Sequence, residues 1–277
     1  MTTPASLSVG VVVYHPDLPL LSDTLGSLAA AATRAREERE LREVSVTVVD
    51  NGSADSAAVD AVVRAALPLD LAVAADIRRG HGNVGYGGGH NLAILASNAT
   101  HHLILNPDAV LEPAALVEAL RFLRENPGVG MLAPDVRSAA GERQYLCRRY
   151  PSLLVLLLRG FAPAWLKRGF TSVLDRYEMR DRMEAEVVRD VPLASGCFMF
   201  ARRDVLAAVG GFAPEYFLYF EDYDLSMRIR RIAEIAYVGR VRIVHHGGEA
   251  AKKGQKHVRH FFASALRFFR THGWKIA

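Results

Sequence analysis

Residues 7–14 form a near-continuous apolar run rich in Val, which predicts a strand buried on both faces and ended by His15-Pro16. Residues 18–43 follow as a helix, amphipathic at its start and heavily charged at its end. A second Val-rich strand, 44–49, runs into Asp50-Asn51-Gly52-Ser53, a strong turn signal. Helix 57–66 and strand 71–77 come next, then a glycine-rich loop, with a short helix beginning near Asn91. Residues 102–105 read as a fourth strand, ended by Asn106-Pro107-Asp108, and 113–125 as a helix that opens on Pro. Strands alternating with helices predict an α/β fold whose mostly parallel sheet is covered on both faces.

The alternation weakens after about Asp135. Residues 153–158 are Leu-Leu-Val-Leu-Leu-Leu, flanked by Arg148, Arg149, Arg159, Lys167 and Arg168. An apolar strand containing Gly196 is expected at 191–201, then a short helix at 203–209 stopped by Gly210-Gly211. A helix from near Asp222 to about Ile232 and a last strand at 241–244 lead to His245-His246-Gly247-Gly248. The tail from Lys252 is basic and aromatic. Its Phe261, Phe262, Leu266, Phe268 and Phe269 suit a helix that packs on the body of the protein or touches a membrane or acceptor. There is no internal repeat and no low-complexity linker.

With 277 residues, half of them apolar, the chain can bury a sizeable core. A net charge of +4 suits an anionic ligand or an anionic membrane surface. No helix-turn-helix, zinc-finger or RNA-binding aromatic signature is present, so nucleic acid is not an expected partner. The two cysteines, Cys147 and Cys197, are too far apart for a disulfide framework or a metal spacing. They read as buried thiols in a reducing cytoplasm. The N-terminus lacks a basic, apolar leader and no stretch reaches the length of a transmembrane helix, which places the expected location in the cytoplasm.

Glu221-Asp222-Tyr223-Asp224 puts three carboxylates in four residues, directly after the aromatic-rich run 217–220. Apolar neighbours and adjacent carboxylates both raise a carboxyl pKa, which is how a general base is tuned. The other reading is an acidic first turn of a helix. Gly80-His81-Gly82-Asn83-Val84-Gly85 matches the dinucleotide G-x-G-x-x-G pattern. It falls after the third strand rather than the first, and Tyr86-Gly87-Gly88-Gly89 is too glycine-rich to continue a helix at once. Such a loop lets backbone approach a phosphate or sugar closely, or is a flexible turn. Asp108, at the edge of the sheet where ligands bind, can take a divalent cation or simply form a turn. Asp50 can cap its turn or accept from a base or ribose. His245 and His246 are either structural or ligands beside a carboxylate-bound Mn²⁺.

Taken in order, the segments 48–53, 83–91, 105–108, 196–202, 210–212, 220–225 and 245–248 resemble inverting GT-A glycosyltransferases of family 2. The likeness is to the rhamnosyltransferase-like branch, which uses dTDP-sugars, and it covers roughly residues 7–248. It implies a GT-A fold over 1–277, with a Rossmann-like sheet and a C-terminal acceptor-side helical region. Residues 1–135 would be the nucleotide-sugar-binding half, 136–248 the acceptor and catalytic half, and 249–277 the basic aromatic tail. Tyr14 and Asp50 would hold the nucleoside. Asn83, Gly85, Gly88 and Asn91 would line the diphosphate and donor sugar, with Asn106 nearby at a position where many relatives have Asp. Asp108 would bind Mg²⁺ or Mn²⁺, helped by His245 or else His246. Asp222 would be the catalytic base, with Glu221 the alternative. Lys252, Lys253 or Arg259 would help neutralise the leaving group, and Glu249 stands where the branch commonly has serine.

The implied activity is metal-dependent, inverting hexosyl transfer. The donor would be a nucleotide sugar, dTDP-L-rhamnose first and a UDP-sugar second. The acceptor would be a hydroxyl on a glycan, glycolipid or glycoside, and a lipid-linked acceptor would bring the enzyme to the inner face of the plasma membrane. Two rivals stand beside this reading: an NAD(P)-dependent oxidoreductase using the loop 80–85, and a non-catalytic binder of sugar nucleotides or glycans.

Overall fold

The computed structural model describes residues 4–67, 73–247 and 254–276. The first half alternates as β1 (Ala5–Val13), α1 (Leu18–Glu37), β2 (Leu41–Asp50), α2 (Ser56–Ala66), β3 (Val73–Arg78), α3 (Gly85–Leu95) and β4 (His101–Leu105). Then come β5 (Ala109–Leu111), α4 (Ala115–Glu125), β6 (Val129–Arg137) and β7 (Arg143–Gln144). Three helices follow, α5 (Leu153–Phe161), α6 (Ala164–Gly169) and α7 (Thr171–Tyr177). The chain continues through β8 (Val187–Val188), β9 (Phe198–Arg202), α8 (Arg203–Ala208), α9 (Glu221–Ile229), β10 (Glu234–His245) and α10 (Gly254–His272).

The sheet runs β3-β2-β1-β4-β9-β6-β10-β5. The first four strands are mutually parallel. β9 lies antiparallel between β4 and β6, β10 is parallel to β6, and β5 closes the edge antiparallel. The pleat of β1 explains the layers. Leu7, Val9, Val11 and Val13 join Leu21 and Leu25 of α1, Val59 of α2 and Leu120 of α4 in one core. The alternate positions face α3, closely enough that a Cβ on Gly10 would sit 2.9 Å from the Ala93 Cβ. A second core, with Ile94, Ile104, Met199, Phe212, Leu225 and Ile229, fills the other face.

Several elements differ from the sequence expectation. α1 stops at Glu37 because Arg39 turns left-handed, at φ +58°, and the buried Leu41 starts β2 early. α3 begins at Gly85 rather than near Asn91, so the glycine run is the first turns of a helix. Close packing sets this: a Cβ on Gly87 would meet Phe212 at 2.8 Å, and one on Gly89 would meet Val12 at 2.8 Å. Residues 191–197 stay outside the sheet apart from one bridge, Arg148 to Leu193, and only 198–202 form the strand. β6 was not foreseen, since Pro134 interrupts its pattern, and β10 runs far longer than 241–244. α9 ends at Ile229. Leu71, Ala72, Gly248, Glu249, Lys252 and Lys253 lie outside the described residues.

Gly85 is the most constrained glycine of α3. Its φ is +79°, and a Cβ there would lie 2.2 Å from the Phe217 carbonyl oxygen. Gly85→Ala should therefore lower stability by roughly 2–5 kcal/mol through left-handed strain and overpacking together. Gly88→Ala, which meets only the Val84 side chain at 3.3 Å, should cost far less in the same thermal melt.

Candidate active site

The loops at the C-terminal ends of β1 and β2 are joined by hydrogen bonds. The His15 N–H reaches the Ser53 hydroxyl at 3.3 Å, and the Ala54 N–H reaches His15 Nδ1 at 3.2 Å. Asp50 Oδ1 accepts from the N–H groups of Gly52 (3.1 Å) and Ser53 (2.7 Å). Burial pushes the Asp50 carboxyl up, but Ser53, Gly52 and the nearby Arg79 outweigh it and hold the group below its ordinary value. Tyr14 is exposed, with its ring edge-on to His15. Asn51, to which the sequence reading gave no role, donates to the Gly85 carbonyl (2.9 Å) and pairs with His81 (3.0 Å). It ties the β2 turn to the glycine loop.

Asn83 is exposed and its Oδ1 accepts the Gly85 N–H at 3.0 Å, which shapes the entry to α3. Gly88 sits half-buried on that helix. Asn91 is turned inward: its Oδ1 accepts the Phe212 N–H and its Nδ2 donates to the Phe212 carbonyl, both at 2.8 Å. Its amide pins the segment after α8 to α3, and the structure does not bring it to the open side of the loop.

The segment after β4 gathers a second group. Its backbone is held by the Asn106 N–H on the Cys197 carbonyl (2.9 Å) and the Thr24 hydroxyl on the Pro107 carbonyl (3.0 Å). His245 Nε2 lies 3.4 Å from Asp108 Oδ1 and 3.4 Å from Asn106 Nδ2. The other ring nitrogen, Nδ1, faces Gln144 Oε1 at 3.2 Å, while Gln144 Nε2 donates to the His245 carbonyl at 2.9 Å. The amide oxygen can only accept, so Nδ1 carries a hydrogen and Nε2 is the ring nitrogen turned toward Asp108. Asp108 Oδ1 is buried and has no hydrogen-bond partner. Burial pushes the Asp108 carboxyl up, yet His245, the Asp108 backbone and Asn106 hold it below its usual range. His246 is exposed, and only its backbone N–H takes part, bonding the Asp108 carbonyl at 3.0 Å. A Cβ on Gly247 would fall 2.7 Å from Asp108 Oδ2 and 2.8 Å from His245, so that position must stay bare.

A buried carboxylate oxygen without a partner, beside an imidazole nitrogen and an amide, is a donor set that fits Mg²⁺ or Mn²⁺. Among the described residues no three His, Cys, Asp or Glu side chains gather to hold a metal, so this pair would share the ion with other ligands.

The third group is built on α9. The two residues before that helix, Tyr219 and Phe220, are left-handed at φ +70° and +64°. Each costs roughly 1–3 kcal/mol unless its surroundings enforce it. α10 does so. Phe220 packs 5.4 Å from both Phe261 and Phe268, Tyr219 bonds His257 Nδ1 at 3.0 Å, and the Ser264 hydroxyl donates to the Leu218 carbonyl at 2.8 Å. Glu221 is thereby buried with Oε2 unpartnered, and burial plus the charge of Asp222 pushes its carboxyl well up.

Asp222 is half-buried. Its Oδ2 accepts the Gly196 N–H at 3.0 Å and its Oδ1 the Tyr223 N–H at 2.9 Å. Burial pushes its carboxyl up to about 6, with those N–H groups and the buried Arg148 restraining the rise. The carbonyl of the same residue, Gly196, accepts the Tyr86 hydroxyl at 2.5 Å. One residue, Gly196, thus links Asp222 to Tyr86 of α3. Asp108 and Asp222 are both close enough to add to the rise of the Cys197 thiol, which burial chiefly lifts to about 12. Asp224 points elsewhere, bonding Arg228 and His272 at 2.8 Å each.

Gln144, Arg148, Asn51 and the Gly196 peptide were all missing from the sequence-based site. Asn51 stood inside a turn signal and Gly196 inside an apolar run; Gln144 carried no signal at all.

A sheet of this order with polar loops at one edge is the GT-A glycosyltransferase fold, and solved structures that share it bear this out. The mannosyltransferase PcManGT from Pyrobaculum calidifontis, in complex with GDP-Man and Mn²⁺, superposes with a TM-score of 0.59 at 20% identity, over 96% of this chain and 65% of that one. S. aureus TarS 1-349 does so at 0.56 and 15%, over 96% and 72%. GalNAc-T7 with UDP, GalNAc and Mn²⁺ gives 0.61 and 12%, over 88% and 43%. The chain belongs to the family described as Glycosyltransferase like family 2, whose profile matches residues 4–272. An N-acetylglucosaminyl-diphospho-decaprenol L-rhamnosyltransferase of Mycobacterium tuberculosis, found alike in strains CDC 1551 and H37Rv, is 30% identical over 257 residues. That alignment covers 87% of this chain and 76% of the relative.

Proposed function

We propose that this glycosyltransferase moves L-rhamnose from dTDP-L-rhamnose to a hydroxyl of a lipid-linked glycan, with inversion at the anomeric carbon. The observation that carries the catalytic reading is Asp222. It is a half-buried carboxyl lifted to about 6 and fixed by the Gly196 and Tyr223 N–H groups. The likeness to the mycobacterial rhamnosyltransferase supports the choice of sugar and acceptor class.

The acceptor oxygen attacks the anomeric carbon as the bond from that carbon to the diphosphate oxygen breaks. The hydroxyl proton passes to Asp222, and the nucleoside diphosphate departs with the bonding electrons. One displacement of this kind inverts the configuration and needs no enzyme nucleophile. Glu221 is the more deeply buried of the pair, and burial and its neighbour's charge push its carboxyl well up, so the half-buried Asp222 is the member assigned to take the proton. On the donor side Tyr14 and Asp50 hold the nucleoside, and Asn83, Gly85 and Gly88 line the diphosphate. Asn106, Asp108 and His245 would hold Mg²⁺ or Mn²⁺, whose chemistry here is to offset charge on the leaving diphosphate.

Gln144 orients His245 through Nδ1, so Gln144→Ala should weaken Mn²⁺ binding by about 10–100-fold in a direct metal titration, with the melting temperature little changed.

The reading is tested by screening nucleotide sugars for nucleoside diphosphate release with pooled acceptors. Release from dTDP-L-rhamnose that depends on a lipid-linked acceptor is expected. Release only from UDP-sugars would replace the donor, and tight NADH binding without any response to dTDP and Mn²⁺ would sink the transferase reading.

A further inference from the structure

A groove lined only by apolar side chains lies away from the carboxylates, between α5 and α10. Leu153, Leu156 and Leu157 form one wall, and Phe262, Leu266 and Trp274 the other. It is open to solvent: Leu157 is 55% exposed, Trp274 55%, and Ile276 beyond it 77%. Trp165 on α6 is 72% exposed. This surface is preformed. The Leu153 N–H bonds the Lys275 carbonyl at 2.9 Å, the Leu154 N–H bonds the Ile276 carbonyl at 3.2 Å, and Trp274 stacks on Phe269 at 5.2 Å.

The two segments that build it carry charge of one sign, although Asp175 and Glu178 of the next segment line a cavity with Lys167 and Arg168. Neither residues 153–169 nor residues 254–276 contain an Asp or a Glu. They carry Lys167, Arg168, Arg259, Arg267, Arg270 and Lys275 instead. On α10 the residues 258, 262, 266 and 269 share one stripe by helical periodicity, and Arg259 and Arg270 fall along its edge. An apolar stripe edged by cations, with tryptophans at its ends, is the chemistry of a helix lying in a lipid headgroup region. No helix among the described residues is long and apolar enough to cross a membrane.

We infer that α5, α6 and α10 together form a docking face for an anionic lipid bilayer. This deepens the proposed acceptor and rests on that reading for why a bilayer should be present. The face α10 turns inward grips residues 218–220, which lead directly into Glu221 and Asp222. The docking face and the segment that leads into the catalytic carboxyl are therefore both built on α10. Each cation near the surface adds on the order of 1 kcal/mol of attraction to an anionic leaflet.

Flotation of the full chain with vesicles tests this, using phosphatidylglycerol mixed with phosphatidylcholine against phosphatidylcholine alone. The chain's two tryptophans both lie on the proposed face, so their emission should shift to the blue with the anionic vesicles. The chain should float with the anionic vesicles, and less so as salt rises. Leu266→Asp should cut flotation by about tenfold or more, and Arg270→Gln with Lys275→Gln should lower it and flatten its salt dependence. Transfer to a water-soluble acceptor glycoside should be unchanged in Leu266→Asp. That keeps a failure of docking distinct from a failure of the transferase reading. Flotation of Leu266→Asp equal to the parent, or no flotation of the parent, would overturn the inference. So would a dimer in sedimentation velocity that Leu266→Asp disperses, because the face would then belong to a second copy.

Discussion

Asp222→Asn should reduce kcat for sugar transfer by about 10²–10⁴-fold, the range a positioned general base contributes, in a protein that still folds. The amide keeps one of the two N–H partners, Gly196 or Tyr223, and loses the other at a cost of about 1 kcal/mol. Against that loss, the change removes a carboxyl that burial makes hard to ionise. The sign follows from the raised pKa. Between 3.8 and about 6 the folded protein holds more protons at this group than the unfolded chain does. Stability that the protonated carboxyl contributes at low pH is lost as pH rises through about 6. The Asn variant should therefore melt with a flatter dependence on pH across that window. In the parent, kcat/KM should fall about tenfold per pH unit below about 6, as the base takes up its proton. Full transfer activity in a folded Asp222→Asn protein would remove Asp222 from the chemistry.

Asp108→Ala should be nearly as severe for transfer, with a loss of roughly 10²–10³-fold, but it should separate activity from stability in another way. The Asp108 backbone carbonyl still accepts from His246, so the turn survives. The side chain removed includes a buried oxygen with no partner, which costs folding, and a carboxylate that its neighbours hold below its usual range, which favours it. These oppose each other, so the melting temperature should change little. Mn²⁺ should no longer strengthen dTDP binding in a calorimetric titration, and chelation of the parent should mimic the variant. An Asp108→Ala protein whose dTDP binding still responds to Mn²⁺ would place the metal elsewhere.

The parallel strands were legible in the sequence because strands buried on both faces read as unbroken apolar runs; β1, β2 and β4 lie within a few residues of their expected positions. What escaped was set by distant partners. The glycines of α3 looked helix-breaking because propensity is a local quantity, while their requirement comes from Phe217, Phe212 and Val12. Of β10 only 241–244 was legible; its first part hid because Gly239 and the exposed Arg240 break the buried run 235–238 from the rest. In the candidate site, Asp108 and Asp222 were singled out through the order of motifs, but the choice between His245 and His246 was not readable. Neighbours in a strand point to opposite faces, and only the pairing of His245 with Ala109 on β5 decides which imidazole meets Asp108. Asn91 shows the converse. It stands among glycines at a ligand-facing loop, yet its amide is spent on Phe212.

The close approach of Gly85 to the Phe217 carbonyl, reinforced by the Tyr86 N–H on the same oxygen at 3.1 Å, bears on how such enzymes can be recombined. It is a joint cut into both parts of the chain. A chimera that grafts a relative's later segments onto this β1–α3 portion, to change the acceptor, inherits a mismatch unless residues 217–220 and the glycine run travel together. Crossover points placed outside that joint should yield folded hybrids, and those that split it should yield insoluble ones.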